Sequence, residues 1–590
     1  ICIVGGSESA INIAGVMGLD PGTAEPLLSL NHCLGGDRAD DKFDYAGVNS
    51  CKAADLLFGG KRECRVGCIG YGDCIKSCKF DAIDMGPEGY PVVNEIKCVG
   101  CGACEQACPK GIITVRTMSQ RLLKFNEEDD ALAPCQQTCP AEIDIQRYIG
   151  HIRAGEYEEA VHTIKERNPL LLTCGRVCPH PCEDYCRRGI EDEPVSINQL
   201  KRFVADLEMN SGRRYPVPCA PDTGRKIAII GGGPAGLSAA YFLRRLGHSP
   251  TIYEAMPRLG GITRYGIPEY RLPDDVLDWE CQGILDLGID CHLNTQLGED
   301  FTFDSLMREG YEAIFAGIGA WKDYTLNIPG EDLKGVWQGI NFLSQVAGSP
   351  EKRIPVGKKV AVVGGGNSAI DCVRTLKRLG CEEVYILYRR TRNEMPANEV
   401  EIVAAEHEGI KFQFLAAPVR VVDDGEGNVG GIEYLQMELG EPDASGRRRP
   451  VPVEGSETII ELDMLISAIS QQPELSCLEK EPQKDKIAIT RWSTFDNDEE
   501  TLHCSLPWLF TAGDAATGPS LVVDAIGGGR RAARSIHQFL TGEEIQGSPK
   551  SLRNQHIDGT IFKTVPGVTP MKRTPMPELE VEERITSMVE

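Results

Sequence analysis

Four cysteines, Cys98, Cys101, Cys104 and Cys108, are separated by two, two and three residues, and Pro109 follows the last. Thiolates at this spacing wrap three corners of an iron–sulfur cubane, and the fourth reaches a neighbouring cluster. Structural zinc motifs rarely combine this run with a proline after the last cysteine. The wider distribution points the same way: of 24 cysteines, 17 lie in residues 1–186 and seven in the remaining 404. Disulfide scaffolds belong to small secreted domains, whereas clustered cysteines in a cytosolic setting bind metal or do redox chemistry. No secretory signal opens the chain, and a cytoplasmic location is the expectation.

The first half of this pair of motifs is altered. Counting back from Cys78 gives Cys74 and Cys68, but Tyr71 occupies the place of the middle ligand. Cys64 is the natural substitute, and Cys33 or Cys51 could replace it. The expected sets are Cys64, Cys68, Cys74 and Cys108 on one 4Fe–4S cluster, and Cys78, Cys98, Cys101 and Cys104 on the other.

Composition narrows the partners. The 62 Lys+Arg against 87 Asp+Glu leave a net charge of −25, which argues against nucleic acid or an anionic membrane surface as the main partner. No run of about 18 apolar residues is present, so no membrane span is expected.

The stretch "KFDYAGVNSCKAADLLFGGKRECRVGCIGYGDCIKSCKFDAI" resembles the B subunit of Rnf-type electron transport complexes over roughly residues 1–115. The resemblance implies that Cys2 is a ligand of a cluster whose other ligands lie upstream. "ICIVGG" reads as the inside of a domain, so missing upstream residues are expected, and "PELEVEERITSMVE" also ends mid-pattern.

Cys135, Cys139, Cys174, Cys178, Cys182 and Cys186 follow in a helical segment, where Ile145, Ile149 and Ile152 form one apolar stripe and Tyr157, Ala160, Val161 and Ile164 another. Their order resembles the N-terminal domains of the glutamate synthase small subunit, dihydropyrimidine dehydrogenase and the NADPH-binding subunit of NAD-dependent ferredoxin:NADP reductase. That resemblance implies two clusters, one on Cys139, Cys178 and Cys182, the other on Cys135 and Cys186, with Cys174 not a ligand. Two departures leave the choice between one cluster and two open. The two cysteines that relatives carry just before Cys135 are absent, and the non-cysteine ligand maps near Gln199 or Lys201, the latter implausible as a ligand.

From Lys226 onward, β-branched runs alternate with helical patterns, which indicates parallel α/β architecture. Gly231-x-Gly233-Pro234-Ala235-Gly236 follows a strand and opens a helix, and Glu254 ends the next strand. Gly231 suits a tight turn, Gly233 the approach of a pyrophosphate, Gly236 close helix–strand packing, and Glu254 a ribose hydroxyl. Gly513-Asp514, then Ala525 in a Gly-rich helix start, supply the far end of an FAD site. Between them, Gly364-x-Gly366-Asn367-x-Ala369 forms a second motif, whose following strand ends in Arg389 and Arg390, with Arg392 beyond. Cations there suit a 2′-phosphate, so NADP(H) is expected over NAD(H).

Residues 225–542 resemble the glutamate synthase small-subunit flavoproteins, most specifically in "LGGITRYGIPEYRLP", which holds Gly260, Gly261 and Arg264, and in "YRRTRNEMPA". The resemblance implies that these residues bind FAD and NAD(P)H. The expected fold is multidomain α/β, with two Rossmann-like nucleotide-binding domains. Its parts are an Rnf B-like segment (1–60), a two-cluster ferredoxin-like domain (61–116), a linker (117–134), a helical Fe–S domain (135–215), an FAD domain in two parts (216–340 and 461–545), an inserted NAD(P)H domain (341–460) and a tail (546–590).

Adjacent FAD and nicotinamide sites imply hydride transfer, for which no catalytic side chain is required. The seven later cysteines show no closely spaced redox pair and read as packed thiols. A flavin followed by one-electron centres implies an NAD(P)H:acceptor oxidoreductase subunit exchanging electrons with ferredoxin or with Fe–S or flavin subunits of a larger complex, of transhydrogenase or bifurcating type. The alternatives are a non-catalytic electron-transfer adapter and the glutamate synthase small subunit itself, for which the Rnf-like front end is wrong.

Overall fold

The structure, a computed structural model, describes residues 12–13, 15–17, 25–126, 132–349, 354–443, 447–547 and 569–588. Cys2 and its expected cluster lie outside the described residues.

The ferredoxin-like region is made of short elements. Strand β1 (Leu28–Asn31) pairs antiparallel with β2 (Ile113–Arg116), and two five-residue helices, α1 (Asp73–Ser77) and α2 (Ala103–Ala107), lie between them in sequence. Each helix starts from a left-handed glycine, Gly72 at φ 68° and Gly102 at φ 79°. Only glycine adopts that conformation without steric cost. Each helix carries one cysteine inside, Cys74 or Cys104, and ends at a second, Cys78 or Cys108.

The next region packs α3 (Ile145–Ala154), α4 (Tyr157–Lys165), α5 (Leu171–Val177) and α6 (Ile197–Asn210). Asp144 starts α3 by accepting from the Arg147 amide, and left-handed Gly155 ends it. Ala160, Val161 and Ile164 on α4 are buried as the apolar stripe predicts, while Tyr157 is exposed. On α3 the buried side chains are Ile145, Tyr148 and His151, and Ile149 and Ile152 are half-buried against the same core.

Two parallel five-stranded sheets follow. The first is ordered β12-β6-β3-β4-β5, from β3 (Lys226–Ile230), β4 (Ser249–Tyr253), β5 (Asp290–His292), β6 (Ala313–Ala316) and β12 (Leu509–Thr511). The second is ordered β7-β11-β8-β9-β10, from β7 (Val336–Gln338), β8 (Lys359–Val363), β9 (Glu383–Tyr388), β10 (Lys411–Phe414) and β11 (Met464–Ser467). The second sheet is thus inserted between strands of the first. Helix α7 (Pro234–Arg245) follows β3, α8 (Asn367–Arg378) follows β8, and α9 (Val522–Thr541) closes the first sheet. Among the described residues no helix is long and apolar enough to cross a membrane.

One core joins the helical region to the first sheet. Ile145, Tyr148, Leu171 and Cys174 pack with Leu237, Phe242 and Ile526 in a continuous cluster. Full burial of such aliphatic and aromatic side chains stabilises by about 1.5–3 kcal/mol each. A buried carboxylate reinforces the joint: Glu280, on helix Asp274–Leu285, accepts from the Thr173 amide at 2.9 Å, the Thr173 hydroxyl at 2.6 Å and the Leu172 amide, at the start of α5. Burial pushes its carboxyl up from 4.5 to about 7, against those hydrogen bonds. An acid whose folded pKa is raised binds protons more tightly when folded, so its contribution is fully present below pH 4.5 and is lost as pH rises through 7. Over that window the contribution falls by on the order of 3 kcal/mol. Chemical unfolding of wild type and Glu280→Gln across pH 5–8 checks this: the difference between the two stabilities should drift in that sense, whatever the variant's absolute stability.

Candidate functional site

A cavity of about 420 Å3 lies where the two sheets meet. Its first wall is the β3–α7 turn, with Gly231, Gly233, Pro234, Ala235 and Glu254. Gly231 has φ 98°, and a Cβ on it would lie 2.4 Å from the Gly317 carbonyl oxygen. Gly236 does not line the cavity. A Cβ there would stand 1.9 Å from the Gly231 carbonyl oxygen, so this residue lets α7 lie against the turn. The Glu254 carboxylate accepts from the Gly232 amide at 2.6 Å and the Met256 amide at 2.8 Å, which fixes the loop carrying the turn.

The Gly260–Gly261 turn folds over Gly233, where a Cβ on Gly261 would meet the Gly233 Cα at 2.9 Å. Gly261 lines the cavity, and left-handed Gly260 supports the turn, its amide bonded to the Gly232 carbonyl at 2.9 Å. Arg264 was expected among the cofactor-binding residues. It is instead 5% exposed, pairs with Asp274 and Asp278 at 3.1 and 2.6 Å, and donates to the Leu259 carbonyl. Its charge holds this loop rather than facing the cavity. Left-handed Gly513 precedes Asp514 and lies beside the turn, a Cβ on it being 3.0 Å from the Ala235 Cβ and 3.4 Å from that of Ala525, and Asp514 and Ala525 line the cavity. Burial pushes the Asp514 carboxyl up to about 6, although Ser520 donates to it through amide and hydroxyl.

The second nucleotide motif contributes Asn367, Ser368 and Asp371 from the start of α8. Gly364 makes the turn, with a would-be Cβ 2.2 Å from the Ala468 carbonyl oxygen, and Ala369 is fully buried beneath it. Gly366 has open space where a Cβ would go, the approach a phosphate needs.

The arginine cluster is split by the fold. Arg390 is 5% exposed, pairs with Asp443 at 2.8 Å and donates to the Arg448 carbonyl at 2.7 Å. Arg392 pairs with Glu399 and Glu406 at 2.7 and 3.1 Å. Arg389 is exposed at the strand end, and among the described residues no ion pair engages it. Arg390 and Arg392, both expected at the 2′-phosphate, thus meet carboxylates of the chain itself: Asp443, 53 residues on, for the first, and Glu399 and Glu406, 7 and 14 residues on, for the second.

Sequence reasoning missed the bridge between the two units. Arg271, from the segment after Arg264, pairs with Asp371 of α8 at 2.7 Å and with Glu401 at 3.1 Å, and both Arg271 and Asp371 line the cavity. Burial pushes the Asp371 carboxyl up to about 6, and the Arg271 guanidinium opposes that shift. Arg271→Ala leaves this carboxylate buried and unpaired, a loss of about 3–5 kcal/mol. The expected result is a lower melting temperature together with weaker nicotinamide binding, and Arg271→Lys should recover part of both. The cavity also takes Cys477, which was read as a packed thiol, but no second cysteine among its described lining.

The cysteines ring separate spaces. No three His, Cys, Asp or Glu side chains among the described residues converge tightly enough for a single metal ion. One small cavity is lined by Cys78, Cys98, Cys101 and Cys104, and another by Cys51, Cys68, Cys74 and Cys108. Cys64, expected in the second set, is exposed and lies outside it. A link across 23 residues places Cys51 there. The Ser50 hydroxyl caps helix Cys51–Asp55 and donates to Asp73 at 2.7 Å, while the Lys52 amide donates to the same carboxylate at 3.1 Å. These bonds pin Cys51 beside the start of α1, which carries Cys74. In the helical region, Cys139, Cys174, Cys178 and Cys182 are buried in one core, and the Cys178 amide donates to the Cys174 carbonyl at 3.2 Å. Cys135 shares this core, Cys186 packs at its edge, and both also line a larger cavity.

The chain is similar to known proteins along most of its length. Residues 225–529 match the family described as pyridine nucleotide-disulphide oxidoreductase. Residues 129–213 match the dihydropyrimidine dehydrogenase domain II 4Fe–4S family, and residues 65–112 the 4Fe–4S dicluster domain. The chain is 44% identical to the NADP(+)-dependent formate dehydrogenase subunit beta of Moorella thermoacetica, over 73% of this chain and 62% of that protein. It is 42% identical to the NADPH-Fe(3+) oxidoreductase subunit beta of Geobacter sulfurreducens, over 70% and 64%. The chain thus spans under two thirds of the length of these two relatives. It is 34% identical to the glutamate synthase [NADPH] small chain of Escherichia coli, over 69% of this chain and 88% of that one. Two dinucleotide turns line one cavity behind the cysteine-rich regions, and the chain belongs to the pyridine nucleotide-disulphide oxidoreductase family, in the group of the glutamate synthase small chain.

Proposed function

We propose that the chain is an FAD-dependent NAD(P)H oxidoreductase subunit that exchanges hydride between NADP(H) and FAD. It relays single electrons through 4Fe–4S clusters to or from ferredoxin or partner subunits. The observation that carries this reading is a shared wall: Val177 and Pro179, the neighbours of Cys178, line the same cavity as Gly231 and Asn367. A second contact supports it. A Cβ on Gly527 of α9 would stand 2.3 Å from the carbonyl oxygen of Pro140, the residue after Cys139.

When bound, FAD and the nicotinamide nucleotide supply two-electron chemistry, and the clusters carry one electron each. The chain's own residues bind and orient. Gly231, Gly233 and Glu254 cradle one nucleotide, and Gly364, Gly366 and Asn367 the other. The proposed cluster ligands are Cys51, Cys68, Cys74 and Cys108; then Cys78, Cys98, Cys101 and Cys104; and Cys139, Cys178 and Cys182 in the helical region. A transhydrogenase or bifurcating complex in the cytoplasm suits such a junction, and two of the relatives are themselves named as beta subunits.

The engagement of Arg390 and Arg392 with acids favours a second reading, an electron-transfer adapter with a weakened nicotinamide site. Anaerobic mixing decides between them: rapid flavin bleaching by NADPH supports the oxidoreductase, and no bleaching by NADPH or NADH leaves the adapter. Arg389 supplies the remaining 2′-phosphate contact in this reading. Arg389→Ser should raise the KM for NADPH by about 10- to 100-fold, the worth of a charge-assisted hydrogen bond, and leave that for NADH unchanged. An equal effect on both nucleotides would refute the assignment.

A further inference from the structure

Sixteen cysteines lie between Cys33 and Cys186. Eight ring the two small ferredoxin cavities, and four, Cys139, Cys174, Cys178 and Cys182, are buried in the core of the helical region. The four left over are Cys33, Cys64, Cys135 and Cys186. All four line one cavity, of about 1360 Å3, between the ferredoxin-like and helical regions. The regions touch around it: Leu34 packs where a Cβ on Gly150 of α3 would be 2.8 Å away, and Arg153 of α3 pairs with Glu88 at 3.4 Å.

Each pair already adjoins a proposed cluster. Cys64 precedes Cys68 by four residues, and the Cys33 sulfur accepts from the Cys68 amide at 3.4 Å. On the other side, Cys135 precedes Cys139 by four residues and Cys186 follows Cys182 by four, and Cys186 packs against the core that holds Cys135. Four thiolates around a cubane make an anionic centre. The walls suit one in a chain otherwise strongly acidic, since Arg38, Lys110, Arg116, Arg147 and Arg167 line the same cavity. Elsewhere in the molecule, the buried Arg374 and Arg378 both pair with Glu408.

We infer that Cys33, Cys64, Cys135 and Cys186 together hold a further 4Fe–4S cluster at the boundary between the ferredoxin-like and helical regions. The ferredoxin-like region thereby supplies two ligands in place of the pair missing before Cys135. This centre joins the cluster beside the flavin to the two ferredoxin clusters, and it rests on the reading of those regions as cluster-bearing.

The test is iron and sulfide per FAD in the anaerobically purified chain, with EPR of the dithionite-reduced protein. Wild type should hold about sixteen iron atoms per FAD, four per cubane, and a value near twelve overturns the inference. Cys64→Ser and Cys186→Ser should each lose about four iron atoms and the same EPR component, and the double variant should lose no more than either alone. Loss of about eight in the double variant would mean two separate centres, and full iron in Cys64→Ser would place the cluster wholly in the helical region; either result overturns the inference. FAD content and melting temperature report whether each variant has folded, and the wild-type count stands where one has not. No iron in any protein would instead defeat the broader cluster reading.

Discussion

Gly236→Val should yield protein purified almost without flavin. Gly236 sits on the first turn of α7, where a Cβ would be 1.9 Å from the Gly231 carbonyl oxygen and 3.2 Å from the Ile229 side chain. The nearest atom belongs to backbone, so no side-chain rotation relieves the clash. Either α7 shifts off β3 or the Gly231 turn opens, and the latter is held by a Gly231 amide bond to the Tyr253 carbonyl at 2.8 Å. Over-packing of this kind costs about 1–3 kcal/mol even where side chains can adapt. Moving the pyrophosphate cradle should therefore weaken FAD binding by at least about 10-fold, since each 1.4 kcal/mol is a factor of ten. Absorbance at 450 nm per mole of protein measures the effect. Normal flavin content in a folded Gly236→Val protein would show that the turn does not hold the cofactor.

Cys178→Ser should separate the two halves of the proposed reaction. Cys178 caps the end of α5, its neighbours Val177 and Pro179 wall the flavin cavity, and its amide bonds to the Cys174 carbonyl at 3.2 Å. Serine preserves the size and the backbone but is a poor ligand for iron, which selects soft thiolates. Flavin bleaching by NADPH should persist, because the nucleotide turns are untouched. Electron transfer between NADPH and ferredoxin should fall by more than the about 10- to 100-fold typical of losing a group that merely supports a metal ligand. Iron per FAD should fall with it. Unchanged iron would remove Cys178 from the ligand set, and unchanged transfer would mean that the flavin reaches its acceptor by another route.

The glycine motifs were legible in the sequence because their physics is local. Turn conformation, close packing and helix start are set within about six residues, and Gly231, Gly236 and Gly364 have the backbone contacts their spacing implies. The cysteine runs were legible for the same reason, through the left-handed glycines that start α1 and α2. What was not legible depends on partners far along the chain. Arg264 finds Asp274 and Asp278 across a turn, Arg390 finds Asp443 just past the strand Val429–Pro442, and Arg392 finds Glu406 on the helix Glu399–His407. The composition around each arginine does not reveal which anion it will meet. Between Cys64 and its alternatives Cys33 and Cys51 the sequence does not choose, because the Ser50–Asp73 bond that sets Cys51 beside α1 spans 23 residues. The Arg271–Asp371 bridge spans 100 residues and exists only once the two sheets have met.

The most direct measurement counts electrons. The chain is reduced with dithionite, desalted anaerobically and mixed with NADP+, and NADPH is read at 340 nm. A flavin alone returns about one NADPH per FAD, since it holds two electrons. A flavin wired to the clusters through the helical region should return clearly more than about one, and the EPR signals of the reduced clusters should fade at the same rate. A yield of about one NADPH per FAD with the cluster signals intact would contradict the wiring.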